Sequence, residues 1–224
     1  MWLRVNLVKK YTSSQQVIDF LNDGSFPTIV ILTGPWGSGK TYLTKNQLIP
    51  ELKKENNNDV HYISVYGLTS LDDFRDKILS LNYTHNSHSS GWVSSVKNLV
   101  GGTTRALGDG GTINGVISAL AKPIKHKLLS KIKNVNIVID DLERASSQKL
   151  ISEVLGEILN LVENNINVWV VVVANIDQVG SFQLLEKTFL NRVSINPAPD
   201  DIMIFIDKKY PNLLCDVLKK DLLI

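Results

Sequence analysis

Several classes of protein are excluded by what this chain lacks. Its 224 residues include one cysteine, Cys215, so no internal disulfide can form and a reducing compartment, the cytoplasm, is expected. No apolar run exceeds the 7 residues of Val168–Ala174, far short of the roughly 20 that a helix needs to cross a bilayer. The opening Met1-Trp2-Leu3-Arg4-Val5-Asn6 lacks the basic-then-apolar layout of a signal peptide. Charge of one sign is also missing. With 24 basic against 22 acidic residues the net charge is +2, which sets up no strong field toward anionic membranes; nucleic acid is not indicated as a partner. There is no internal repeat. With 43% hydrophobic residues, the chain can bury one sizeable core without disulfide or metal support.

What is present alternates between two kinds of element. Residues 13–24 read as a short helix capped by Ser13 or Ser14, with Val17, Phe20 and Leu21 on one face and Gly24 closing the end. Residues 28–33 form a β-branched apolar run typical of a buried parallel strand. A glycine-rich turn over 34–39 leads into a helix from Lys40 to Leu48, stopped by Pro50. Further strands are expected over 60–65, 136–140, 167–174 and 193–195, and helices over 71–81, 148–160 and 184–191. Another helix begins at Asp200. Strands separated by helices imply a parallel sheet with helices on both faces.

One stretch departs from that rhythm. Residues 83–118 hold 7 of the 14 glycines and three charged side chains, Lys97, Arg105 and Asp109. Such a long connection is expected to be a flexible Gly/Ser-rich surface insertion over 83–121; the sharper alternative is a lipid-facing or partner-facing segment. His85 and His88 lie within it without a third ligand nearby, so no metal role is assigned. Next come Lys122, Lys125, Lys127, Lys131 and Lys133, expected on the wet side of a helix whose other side carries Ile124, Leu128, Leu129 and Ile132.

Gly34-Pro35-Trp36-Gly37-Ser38-Gly39-Lys40-Thr41 fits G-x-x-x-x-G-K-[ST] at every fixed position, after a strand and before a helix. Glycines let successive N–H groups turn inward around a phosphate, and the helix start aims its positive end at the same place. The Lys40 ammonium can bridge phosphate oxygens, and the Thr41 hydroxyl can complete a Mg²⁺ shell. Tyr42 extends the same nucleotide-binding stretch. A glycine-rich turn with a chance lysine would have to account for spacing, strand and helix together. Trp36 either covers the phosphates or packs on the sheet.

The second constellation is Ile137-Val138-Ile139-Asp140-Asp141-Leu142-Glu143-Arg144. A buried strand delivers Asp140 to the carboxyl edge of the sheet, where ligands bind in open α/β folds and where it would hold Mg²⁺. Asp141 is placed to polarise an attacking water, with Glu143 in reserve. A cap after the strand is the structural alternative. Asn175 ends the fourth strand. In a sheet ordered 5-1-4-3-2 it falls between the phosphate loop and Asp140, able to bond the lytic water or the γ-phosphate; a turn-forming role is the alternative. Arg192, or else Arg144, could supply a guanidinium to a neighbouring subunit's γ-phosphate.

These residues resemble the KAP family of P-loop NTPases. The loop 34–41 is similar to that family's GPWGSGK[ST], tryptophan included, and Ile139-Asp140-Asp141-Leu142-Glu143-Arg144 to its IDDLDR, with Glu143 in place of Asp. Leu185-Glu186-Lys187 and Pro197-x-Pro199 look like the family's region after the fourth strand. The resemblance implies a three-layer α/β sandwich around a mostly parallel five-stranded sheet in the order 5-1-4-3-2. It further implies a long insertion between the two motifs, often membrane-spanning in other members, and a helical region beyond the core. Residues 1–199 would then be the NTPase domain and 200–224 the start of a truncated helical region. The resemblance implies an ATPase, and an association with anti-phage defence. The expectation is Mg²⁺-dependent ATP hydrolysis driving a conformational or assembly switch. It includes self-association through the nucleotide site and an unidentified protein partner. The alternative is a nucleotide-gated adaptor with negligible turnover, and a small-molecule kinase is the weaker third.

Overall fold

The computed structural model describes residues 12–24, 27–85, 113–180 and 191–196, together with Ile206 and Tyr210. Five strands form one sheet: β1 (Ile29–Thr33), β2 (Asp59–Ser64), β3 (Val135–Asp140), β4 (Val168–Ala174) and β5 (Asn191–Ser194). All pairings are parallel, and the order is β2-β3-β4-β1-β5, the order expected, viewed from the other edge. Every residue of β1 and β3 is buried. Strands covered on both faces favour continuous β-branched runs over alternation, which is what these strands contain.

Helices α1 (Ser13–Asn22), α2 (Lys40–Leu43) and α3 (Ile49–Glu55) cover one face. They close a core of Val17, Leu21, Leu48 and Leu52 over Val30, Leu32, Val138 and Val171. The helices α4 (Leu71–His85), α5 (Ile113–Ser118), α6 (Lys122–Leu129) and α7 (Gln148–Asn164) lie on the other face. There Phe74, Ile78, Leu128, Val154 and Ile158 meet Ile31, Ile137, Ile139 and Val170. A short helix, α8 (Ile176–Val179), follows β4. The result is a three-layer α/β/α sandwich.

Several local expectations change. The N-cap of α1 is Thr12, whose hydroxyl accepts the Gln15 N–H, not Ser13 or Ser14; Gly24 does close the end, with φ +72°. Ile18 replaces Phe20 on the buried face. At about 100° per residue, Val17, Leu21 and Ile18 share one arc and Phe20 falls outside it. Pro50 does not stop the second helix. A π turn, Thr44–Leu48, precedes it, and the helix runs on to Glu55 with Pro50 in the first turn of α3. There its missing N–H costs little and the wider turn makes room for the ring.

Helix α4 runs to His85 and α7 to Asn164. Lys125 leaves the wet side of α6: it is 4% exposed and its ammonium lies 2.5 Å from Asp76 on α4. Both margins of the proposed insertion, 83–85 and 113–118, are helical, and 86–112 lie outside the described residues. So do residues 184–190 of the helix expected over 184–191, and the residues from Asp200, apart from Ile206 and Tyr210. Asn191 belongs to β5 rather than to that helix. Among the described residues no helix is long and apolar enough to cross a membrane.

Candidate active site

The C-terminal ends of β1 and β3 meet in a cleft of about 450 Å³. Its walls are Trp36, Gly37, Gly39, Lys40, Thr41 and Tyr42 from the loop and α2, and Asp140, Asp141, Glu143 and Arg144 from the end of β3. The two motifs therefore converge although about a hundred residues separate them.

The loop owes its shape to glycine. Gly37 and Gly39 take φ of +77° and +84°, a region that L side chains rarely adopt. A Cβ at Gly34 would sit 2.7 Å from the Ile195 carbonyl and 2.8 Å from Ser38 Oγ, so only glycine lets β1 leave the sheet there. Lys40 donates from Nζ to the carbonyls of Gly34 (2.8 Å) and Pro35 (3.0 Å). Its ammonium is thus held on the loop's rim. Trp36 does not pack on the sheet; 64% of it is exposed, at the mouth of the cleft.

Asp140 is 2% exposed. Its Oδ2 accepts from the Thr41 hydroxyl at 2.9 Å and the Tyr62 hydroxyl at 2.7 Å, and its Oδ1 from the Asp141 N–H at 2.9 Å. Burial first, then the hydrogen bond and charge of Asp140, push the Tyr62 phenol far above its usual range, so it remains a donor. A hydroxyl and a carboxyl oxygen 2.9 Å apart are the hard ligands Mg²⁺ prefers, and the pair fits such an ion.

Asp141 has φ +62°, uncommon outside glycine though tolerated by Asp. Its Oδ2 accepts from the Ser64 hydroxyl at 2.8 Å, and its Oδ1 faces Arg144 at 3.4 Å. The Arg144 guanidinium lies 3.9 Å over the Tyr66 ring. Glu143 lines the cleft with one buried carboxyl oxygen that has no partner among the described residues.

Asn175 follows β4, beside the end of β1, since Thr33 and Ala174 are register partners. It is buried and stands at the N-cap of α8 without capping it; its Oδ1 has no partner among the described residues. Arg192 is exposed on β5 opposite Ile31, and it is not among the residues lining the cleft. The residues missed from sequence are Tyr62, Ser64 and Tyr66. Their alternation with Ile63 and Val65, on a strand heading for the same sheet edge as Asp140, was the available signal.

A strand, a phosphate loop, a helix and an acid-tipped strand in this sheet order define a P-loop NTPase. The family model for the AAA domain matches residues 25–179, more than half of the chain, and the chain belongs to that family. No curated protein matches it. Solved structures similar to it include a DNA replication initiation factor, at 18% identity and TM-score 0.48, covering 92% of this chain and 53% of that one. The Thermotoga maritima RuvB Holliday junction branch migration motor matches at 14% and 0.44, covering 88% and 47%. The Aeropyrum pernix ORC1 protein, in a complex with DNA, matches at 14% and 0.47, also covering 88% and 47%. The chain spans about half the length of these structures.

Proposed function

We propose that this domain binds ATP with Mg²⁺ and hydrolyses it to drive a conformational or assembly switch. The observation that carries this reading is the convergence of the Lys40 ammonium and the Thr41–Asp140 oxygen pair on one cleft. Backbone N–H groups over 34–42, Pro35 excepted since it has none, would cradle the β-phosphate, and Lys40 would leave the loop carbonyls to bridge β- and γ-oxygens. Thr41 and Asp140 would hold the cation, which when bound neutralises charge on the phosphates. Asp141 would polarise the attacking water, with Glu143 beside it. The unpartnered Oδ1 of Asn175 supports a role for that amide toward water or the γ-phosphate. Arg192, exposed and away from its own cleft, is consistent with service to a neighbouring copy. The tryptophan in the loop and the run Ile139–Arg144 support the narrower KAP assignment, and that resemblance alone motivates a role in anti-phage defence. An unidentified protein partner and a cytoplasmic setting complete the reading; 1–199 would be the NTPase domain, with 83–121 inserted in it, and 200–224 the start of a helical region.

A second reading, a nucleotide-gated adaptor with negligible turnover, is favoured by one observation: both oxygens of Asp141 are already engaged, by Ser64 and by Arg144. Phosphate release with ATP and GTP across a protein dilution series, beside calorimetric titration, separates the two. ATP-selective release whose specific activity rises with protein concentration is expected of a self-associating ATPase. Binding without release at any concentration would leave the adaptor. No heat with any magnesium–triphosphate would overturn both.

A further inference from the structure

We propose that Tyr62 is a positioning residue for the acid at the end of β3, its hydroxyl fixing the orientation in which Asp140 meets a divalent cation arriving with the nucleotide. The inference rests on the nucleotide-binding reading above and goes beyond it, because Tyr62 belongs to neither motif.

Three donors converge on Asp140. The Asp141 N–H serves Oδ1, while the Thr41 and Tyr62 hydroxyls share Oδ2. These donors are not equivalent. Thr41 is the other protein oxygen of the cation pair, so its oxygen must turn a lone pair to the ion and its hydrogen must be re-aimed. The Asp141 N–H holds only the other carboxyl oxygen. Tyr62 is the side-chain donor free to stay in place on Oδ2 when a cation engages the pair. Outer partners of this kind orient metal-binding carboxyls, and their loss costs roughly ten- to a hundredfold in metal affinity.

The fold holds Tyr62 where this role requires. In the parallel register of β2 and β3, Tyr62 pairs with Val138 and Ser64 with Asp140. Tyr62 and Asp140 therefore project on the same face of the sheet. Its ring packs at the edge of the core formed by α1, α2 and α3. The Lys45 ammonium lies 4.6 Å above that ring, presented by the π turn Thr44–Leu48 that follows the phosphate loop. The ring thus lies against the sheet beside the π turn, with its hydroxyl at the acid.

The test is Tyr62→Phe in the full chain, with ATP affinity measured by calorimetry in Mg²⁺ and in EDTA. Tyr62→Leu gives the same contrast should the phenylalanine variant not fold. The factor by which Mg²⁺ tightens ATP binding is expected to fall about tenfold. Affinity in EDTA stays within about twofold, because Lys40 and the loop amides are untouched. Lys45→Met, which keeps the hydroxyl, is expected to retain the wild-type Mg²⁺ factor. An unchanged Mg²⁺ factor in the hydroxyl-less variants overturns the inference. So does an equal loss of affinity with and without Mg²⁺, the signature of a merely structural tyrosine. Absence of ATP binding by the wild-type chain is distinguishable from both and removes the nucleotide reading along with this inference.

Discussion

Asn136 and Asp140 stand four residues apart on β3, on the same face of the sheet, 1% and 2% exposed. Each is surrounded by polar groups. Around Asn136 the partners are amides and a carbonyl: Asn56 and Asn58 donate to its Oδ1, and its Nδ2 donates to Asn56 Oδ1 and to the Leu52 carbonyl. Asn167 extends the array by donating to Asn58 and Asn134. Asn57, Asn134 and Asn167 each take φ near +54°, which asparagine accepts more readily than most residues. Donors and acceptors match, and the cluster is closed. Around Asp140 the donors come from two hydroxyls and one N–H, and Glu143, which lines the same cleft, has a buried Oε2 with no partner among the described residues. Polar burial by itself therefore does not mark a functional site. Unmatched bonding capacity facing a cleft does, because an unpaired buried polar group is costly unless something binds to it.

If this contrast holds, damage at the two ends should separate cleanly. The largest effect is expected from Lys40→Ala. It should lower ATP affinity and any turnover by about a hundredfold or more, while a thermal melt moves little, since the lost bonds are to loop carbonyls at the rim. Asn136→Ala should do the reverse. It strands the Asn56 and Asn58 amides and should cost about 2–3 kcal/mol in urea unfolding, with Mg²⁺·ATP affinity within about twofold of wild type. A matching loss of affinity in that variant would break the contrast.

Asp73 sharpens the contrast as a mixed case, an acid with a closed environment. Its Oδ2 accepts from the Thr69 hydroxyl and from the N–H groups of Thr69 and Ser70, while its own N–H is capped by the Ser70 hydroxyl. The Thr69 side-chain and backbone bonds, then those of Ser70, hold its carboxyl below the ordinary 3.8. A depressed folded value means that the stabilisation is complete above about pH 4 and is lost as pH falls through the lowered value. Asp73→Ala should therefore cost about 0.5–1 kcal/mol at pH 7, the low end for a cap because the group is solvent-screened. The difference should close progressively in urea melts taken below pH 3.8.

Legibility from sequence followed the same division. The phosphate loop and the strand ending in Asp140 could be read because their chemistry requires fixed residue types at fixed spacing, and the sheet order came with them. Tyr62 and Ser64 show only the alternation of their strand, since each bonds an acid 77 or 78 positions away and only strand register brings them together. Lys125 looked solvated because its partner Asp76 lies on another helix. The run past Pro50 was hidden because helix-stop rules assume a regular α turn, and here a wider one intervenes. Phe20 is apolar like its neighbours but lies off the arc that α1 buries, a distinction that apolar content alone does not carry.

The contact between Gly34 and Ile195 has a mechanical corollary. The Ile195 N–H is held by the Thr33 carbonyl at 2.7 Å, and the Ile195 carbonyl fills the space a side chain at 34 would need. The entrance to the phosphate loop and the exit of β5 thus occupy a single tight volume. Any side chain at 34 would therefore have to push the end of the outer strand out of its place in the sheet.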